Sequence, residues 1–182
     1  MNRIMLSLLI LGSVFSIASC DSLGFLQPIP SLAEREAEEY AVYRTIIGEF
    51  AIEGDDGGLC IETHTLSGVE ASPDILPKLD LKLIKDYNTQ NRESVPLKPE
   101  LDLGIPLIPL GDFYAHSKCE FAEVCICDFQ AVSRVGFNAR LNKALIYWER
   151  NAPLAGRGIF FYLVKGNDGN WKIEEEFLQW IS

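Results

Sequence analysis

The chain reads as an α+β domain, with two N-terminal helices packed on a mostly antiparallel C-terminal meander sheet. Three observations predict this. Apolar residues recur at helical spacing in two segments before residue 90. Runs rich in β-branched and aromatic residues dominate the last third. The turns joining those runs are short, which favours antiparallel neighbours over crossovers and lets two helices cover one face of the sheet. The 182 residues are 48% hydrophobic and 23% charged, with 14 Gly and 9 Pro, the composition of one globular domain. A formal charge of −10 excludes a basic nucleic-acid footprint. Two histidines, His64 and His116, exclude a three-histidine metal site.

Residues 1–19 have the layout of a signal peptide. Arg3 supplies the positive start, and Ile4 to Ile17 is almost entirely apolar. That run is shorter than the ~20 residues of a spanning helix. Ile17-Ala18-Ser19-Cys20 resembles the bacterial lipobox. The resemblance implies cleavage before Cys20 and acylation of that residue, with acyl groups such as palmitate; several chains make attachment stable. Asp21 resembles an inner-membrane retention signal. Loss of residues 1–19 removes one charge, Arg3, leaving 15 basic and 26 acidic residues and a net −11. Residues 20–30 then form the lipidated cysteine and a short tether, and residues 31–182 form one domain.

Ser31 to Ile47 is predicted as the first helix. Ser31 and Glu34 have the spacing of a capping box. Ala33, Ala37, Tyr40, Arg44 and Ile47 make one stripe, and Gly48 can end the element. Glu34, Glu36, Glu38 and Glu39 read as a solvated acidic face beside the helix N-terminus. Phe50–Ile52 and Leu59–Thr65 suggest a hairpin across the Glu53–Gly58 turn. Asp55, Asp56 and Gly57 lack the alternating oxygen ligands and terminal Glu of an EF-hand. Residues 75–88 are predicted as the second helix from Leu76, Leu79, Leu83 and Tyr87, with Pro77 in its first turn. Pro96, Pro99, Pro106 and Pro109 make residues 91–112 an irregular segment or a sheet edge.

Val124–Phe137 reads as extended, Ala144–Glu149 and Ile159–Lys165 as strands, and Asn151–Gly158 as a loop. Gly166–Asn170 is a hairpin turn before a last strand over 171–181. Its alternation falters at Glu174-Glu175-Glu176, as at a bulge or a wet rim. Ser133–Asn138, Ala144–Tyr147, Trp171–Ile173 and Trp180–Ser182 resemble an uncharacterised family of bacterial secreted proteins and lipoproteins. Asp86-Tyr87-Asn88 through Asn91 is similar to that family's motif at the end of its second helix. The resemblance implies a compact exported α+β domain with a C-terminal meander, and no established activity. Where relatives carry a CGxxCG-like loop, this chain has Asn151–Gly156 without the cysteines.

Cys60, Cys119, Cys125 and Cys127 are an even set in an exported chain, which predicts two disulfides. A Cys125–Cys127 bridge is geometrically awkward, and a four-thiolate zinc site has irregular spacing. Arg134, set between apolar residues, is expected as a buried structural charge with Asp128, Glu149 or Glu176 as its partner. His64 beside Glu62, and His116 near Asp112, Lys118 and Glu120, are candidate general bases or ligand contacts, without a nucleophile motif beside them. Glu149, Glu174, Glu175 and Glu176 are candidate paired carboxylates. Trp148, Phe160, Phe161, Tyr162, Trp171, Phe177 and Trp180 supply core, with one or two rings for an exposed contact patch.

The sequence therefore predicts a lipid-anchored protein of the bacterial cell envelope, its domain in the periplasm. It is expected to bind a partner without catalysis, cofactor, metal or nucleic acid. The alternatives are a small-ligand-binding protein, a periplasmic inhibitor or immunity protein, and an envelope hydrolase. A pocket where Arg134 converges with acids would favour the ligand reading, and a flat aromatic patch the partner reading.

Overall fold

The computed structural model describes residues 29–51, 60–99, 105, 107–109, 129–152 and 155–182. The expected signal peptide, Cys20, the Glu53–Gly58 turn, His116, Cys119, Cys125, Cys127 and Asp128 lie outside them. The elements in order are α1 (Leu32–Ala51), β1 (Cys60–Glu62), α2 (Leu81–Gln90), β2 (Leu107–Ile108), β3 (Phe129–Val132), β4 (Gly136–Phe137), β5 (Lys143–Ala152), β6 (Ala155–Lys165) and β7 (Trp171–Ile181). The sheet order is β2-β1-β3-β5-β6-β7, with β4 also paired to β5. β1 runs parallel to β2 and β3, and every other pairing is antiparallel. This is the expected α+β fold, with two helices packed on an open, mostly antiparallel sheet.

The helices occupy opposite faces, not one. Along β5, Ala144, Ile146 and Trp148 pack with α1, whereas Leu145 and Tyr147 pack with α2. β6 divides likewise, Ile159, Phe161 and Leu163 toward α1 and Phe160 and Tyr162 toward α2. Side chains alternate along a strand, so a sheet covered twice needs apolar residues at consecutive positions.

α1 begins as its sequence dictates. The Ser31 backbone N–H donates to Glu34 Oε2 at 2.7 Å, and the Glu34 N–H donates to Ser31 Oγ at 3.2 Å. The helix passes through Gly48, whose added Cβ would meet nothing within 4 Å, and so Phe50 is helical instead of opening a strand. Phe50 stacks on Trp148 with ring centroids 4.6 Å apart. The buried stripe is Glu39, Tyr40, Val42, Tyr43, Ile46, Ile47 and Phe50; Ala33, Ala37 and Arg44 face outward. With residues 50 and 51 helical, β1 finds its partners in β2 and β3, and the expected hairpin is replaced by parallel pairing.

α2 starts at Leu81 because Asp80 caps it, its side chain accepting from the Lys82 N–H at 2.9 Å. Residues 72–79 instead form turns, which bury Leu76 and include Pro77. β2 is an edge strand, as its prolines required. β5 and β6 extend into the expected 151–158 loop, pairing Asn151 with Gly156 and Ala152 with Ala155. The turn at 166–170 closes through Gly166 N–H to the Asn170 carbonyl, with Gly169 at φ +81°. On β7, Glu175 and Ile173 oppose the adjacent residues Tyr162 and Leu163, so Glu174 is the bulged residue. Gln179 is a second one, between Leu178 and Trp180.

The disulfide expectation is overturned. Cys60 opens β1, buried beside Phe129 and Ala131, and carries a thiol, not half of a bridge. Two bridges require all four cysteines, and no disulfide is present among the described residues. Cys60 serves there as a small apolar residue.

Candidate functional site

The residues with most chemistry gather where β3 gives way to β4. Val132 opposes Trp148 and Gly136 opposes Leu145, so three residues, 133–135, face two on β5. The strand bulges there: the Ser133 N–H still donates to the Tyr147 carbonyl at 2.9 Å, and the backbone groups of Arg134 and Val135 leave the ladder. Side chains of both helices satisfy them. Asn91, the C-cap of α2, accepts from the Arg134 N–H at 2.7 Å and donates to the Arg134 carbonyl at 2.9 Å. Glu39 accepts from the Val135 N–H at 3.0 Å. Arg35 donates to the Val135 carbonyl at 3.1 Å, and Asp86 accepts from the Phe137 N–H at 2.7 Å. The Tyr147 N–H donates to Ser133 Oγ at 2.9 Å.

Charge closes on this scaffold. Glu39 Oε2 accepts from Arg134 Nη2 at 2.8 Å, and Oε1 accepts from Arg134 Nε at 3.2 Å. Glu39 is 4% exposed, while the Arg134 side chain is 27% exposed. The Tyr43 hydroxyl lies 3.0 Å from Glu39 Oε1 and 3.2 Å from the Ser133 carbonyl, sharing one proton between two acceptors. Burial, and then the Glu39 charge, push that hydroxyl well above the ordinary tyrosine range. The hydrogen bond to Glu39 raises the Arg134 pKa further, with burial opposing. Arg35 and Asp86 pair at 2.6 Å, joining the helices at the sheet margin. Gly136 permits the close approach of α2: a Cβ there would lie 2.5 Å from Tyr87 Cα.

Arg134 is therefore a paired charge, as expected, but its partner is Glu39, not Asp128, Glu149 or Glu176. It sits between strands and keeps one edge open to solvent. That edge lines a cleft of about 360 Å³ with Glu36, Glu39, Tyr40, Lys98 and Arg35. Glu36 pairs with Lys98 there. Glu38 accepts from Lys165 and, at 2.8 Å, from Trp171 Nε1.

The other described candidates do not converge on Arg134. His64 is exposed, its Nδ1 3.1 Å from Thr63 Oγ1, whose proton is donated to Glu62 Oε1 at 2.9 Å. It lines a separate cleft of about 560 Å³ with Pro96, Leu97, Pro99 and Leu107. Glu149 accepts from Asn151 at 2.7 Å. Glu149 opposes Gly158 and Glu175 opposes Tyr162. Those β6 positions are about 13 Å apart along the strand, wider than the ~5–9.5 Å of paired glycosidase carboxylates. Glu175 instead takes Lys78 at 2.6 Å. Trp148, Phe160, Phe161 and Trp171 are buried, and Tyr162, Phe177 and Trp180 are half-buried. Trp180 Nε1 donates to the Tyr147 hydroxyl at 2.8 Å.

Glu39, Arg35, Asp86 and Asn91 are the residues sequence reasoning did not single out for this junction. Glu39 carried one usable signal, its place four residues before Tyr43 on the buried stripe. No family model, curated protein or solved structure matches this chain.

Proposed function

We propose that this chain is a lipid-anchored protein of the bacterial cell envelope whose domain acts by binding a partner, not by catalysis. One observation carries the non-enzymatic part. Glu39 is the most deeply buried carboxylate among the described residues, whereas Glu62 is half-buried with its Oε2 enclosed and without a hydrogen-bond partner. Both Glu39 oxygens are filled by donors from Arg134, Val135 and Tyr43. A general acid or base needs a lone pair or proton facing substrate, and Glu39 has its acceptor sites turned into the fold. The anchoring part is supported by the Arg3 start, the apolar run and the Ile17–Cys20 sequence.

The test uses the full chain. Cys20→Ser should release the protein from membranes or block its processing; a variant fractionating like the parent contradicts anchoring. Alanine at His64, Glu149, Glu174, Glu175 or Glu176 should leave the phenotype complemented. A folded, anchored variant of this set that loses all activity while retaining its partner contradicts the binding reading.

A second reading is favoured by the cleft over Arg134. Its open guanidinium edge, in a cleft that Arg35 and Lys98 also line, suits a small anionic ligand. Thermal stabilisation of the full chain by small carboxylates or phosphate, absent in an Arg134→Lys variant that still unfolds cooperatively, would favour that reading.

A further inference from the structure

A different set of cations lies at the end of the molecule where the tether leaves the domain. Ile29 and Pro30 line a groove of about 690 Å³ together with the start of α2 and the 138–142 turn. Its charged lining is Arg35, Lys82, Arg140 and Lys143 against Asp80 and Asp86. Arg35 and Asp86 neutralise each other, and Asp80, the cap of α2, keeps its charge, so the four cations and two acids leave the lining at a net +2. Lys82, Arg140 and Lys143 remain, exposed and without an ion pair among the described residues. Of the α1 acids outside the groove lining, Glu34 is held in the Ser31 capping box and Glu38 is paired with Lys165. This is a local excess of positive charge in a chain of net −10.

Exposed aliphatic side chains occur at this groove, in Ile29 of its lining, and at Leu81 next to the lining residues Asp80 and Lys82, while Leu32 lines the cleft over Arg134. Ile29 is 93% exposed, Leu32 86% and Leu81 65%. The turn presenting Arg140 is firmly built: Asn138 Oδ1 accepts from the Asn142 N–H at 3.0 Å and the Lys143 N–H at 3.1 Å. Leu141 adopts φ +49°, a left-handed conformation held by packing of its side chain against the α1-side core.

We infer that this face docks on the bilayer, its basic residues against anionic phospholipid headgroups and its aliphatic residues in the interfacial layer. The inference rests on the anchoring reading above. Eight residues lie between Cys20 and Ile29, a reach of about 30 Å at full extension. The tether enters at this groove, so this end of the domain is held nearest the lipid. Exposed aliphatics flanked by Lys and Arg are the composition of an interfacial contact. Repulsion by the acids elsewhere is screened beyond about 8–10 Å, so the contacting face decides the interaction.

Hydrogen exchange on the lipidated full chain tests this, in vesicles of phosphatidylethanolamine with phosphatidylglycerol and in vesicles of phosphatidylcholine alone. Each basic residue near an anionic surface is worth roughly fivefold in occupancy. Amides of residues 138–143 and 81–85 should exchange at least about fivefold more slowly on the anionic vesicles, and those of residues 178–182 should not change. The protection should vanish in high salt and in Lys82→Glu/Arg140→Glu/Lys143→Glu. Equal exchange on both vesicles, with the protein still floating with them, overturns the docking and leaves anchoring intact. Failure of the wild type to float, or flotation of Cys20→Ser with the phosphatidylcholine vesicles, sinks the anchoring reading and the docking with it. Protection in native envelope membranes but not in anionic vesicles assigns the face to a protein partner and overturns the lipid inference.

Discussion

Two groups of cations in this molecule have opposite surroundings. Arg134 and Arg35 reach into the break between β3 and β4, where carboxylates and backbone carbonyls hold them. Lys82, Arg140 and Lys143 stand around an open groove without ion pairs among the described residues. The difference teaches how to separate charge that builds a fold from charge available to something else. A buried carboxylate with all its donors in place fixes geometry, and removing its counter-ion leaves an uncompensated charge. Exposed lysines contribute little to stability.

The comparison breaks most readily at Arg134. Arg134→Ala should cost on the order of 3–5 kcal/mol, because Glu39 stays buried without its cation. Arg134→Lys should recover only part of this, since an ammonium cannot replace the two-point contact. Urea denaturation measures both. An Arg134→Ala variant of unchanged stability that loses ligand or partner binding would make Arg134 a functional residue. The next largest effect belongs to Gly136→Ala, whose Cβ must displace the α2 backbone at Tyr87; about 1–3 kcal/mol should be lost. The smallest belongs to the open groove. Replacing Lys82, Arg140 and Lys143 with Ala one at a time should each change stability by less than about 0.5 kcal/mol. A larger loss at any of them would show that the groove cations also hold the fold.

Local features were legible in the sequence because short-range chemistry decides them. The Ser31–Glu34 capping box, the 166–170 turn and the Glu174 irregularity each need only neighbouring residues. The placement of the helices depended on a cue that was present and misread. Ala144–Trp148 and Ile159–Val164 are continuous apolar runs, the pattern of strands buried on both faces. Glu39 was obscured by its acidic neighbours: Glu34, Glu36, Glu38 and Glu39 form one run, yet only Glu39 faces the bulged strand. Its contact with Arg134 spans 95 residues, beyond anything periodicity can report. The parallel pairing of β1 is equally non-local, and the helical course of α1 through Gly48 removed the hairpin partner that proximity suggested.

The central claim is that Glu39 and Arg134 act as one joint holding α1 to the bulged strand. A double-mutant cycle on stability tests it most directly, with Glu39→Ala, Arg134→Ala and the pair measured by chemical denaturation. The account predicts strong coupling, on the order of 1–3 kcal/mol, so that the double variant loses clearly less than the sum of the single losses. Losses that add within about 0.5 kcal/mol would contradict it, because each residue would then stabilise the fold without the other.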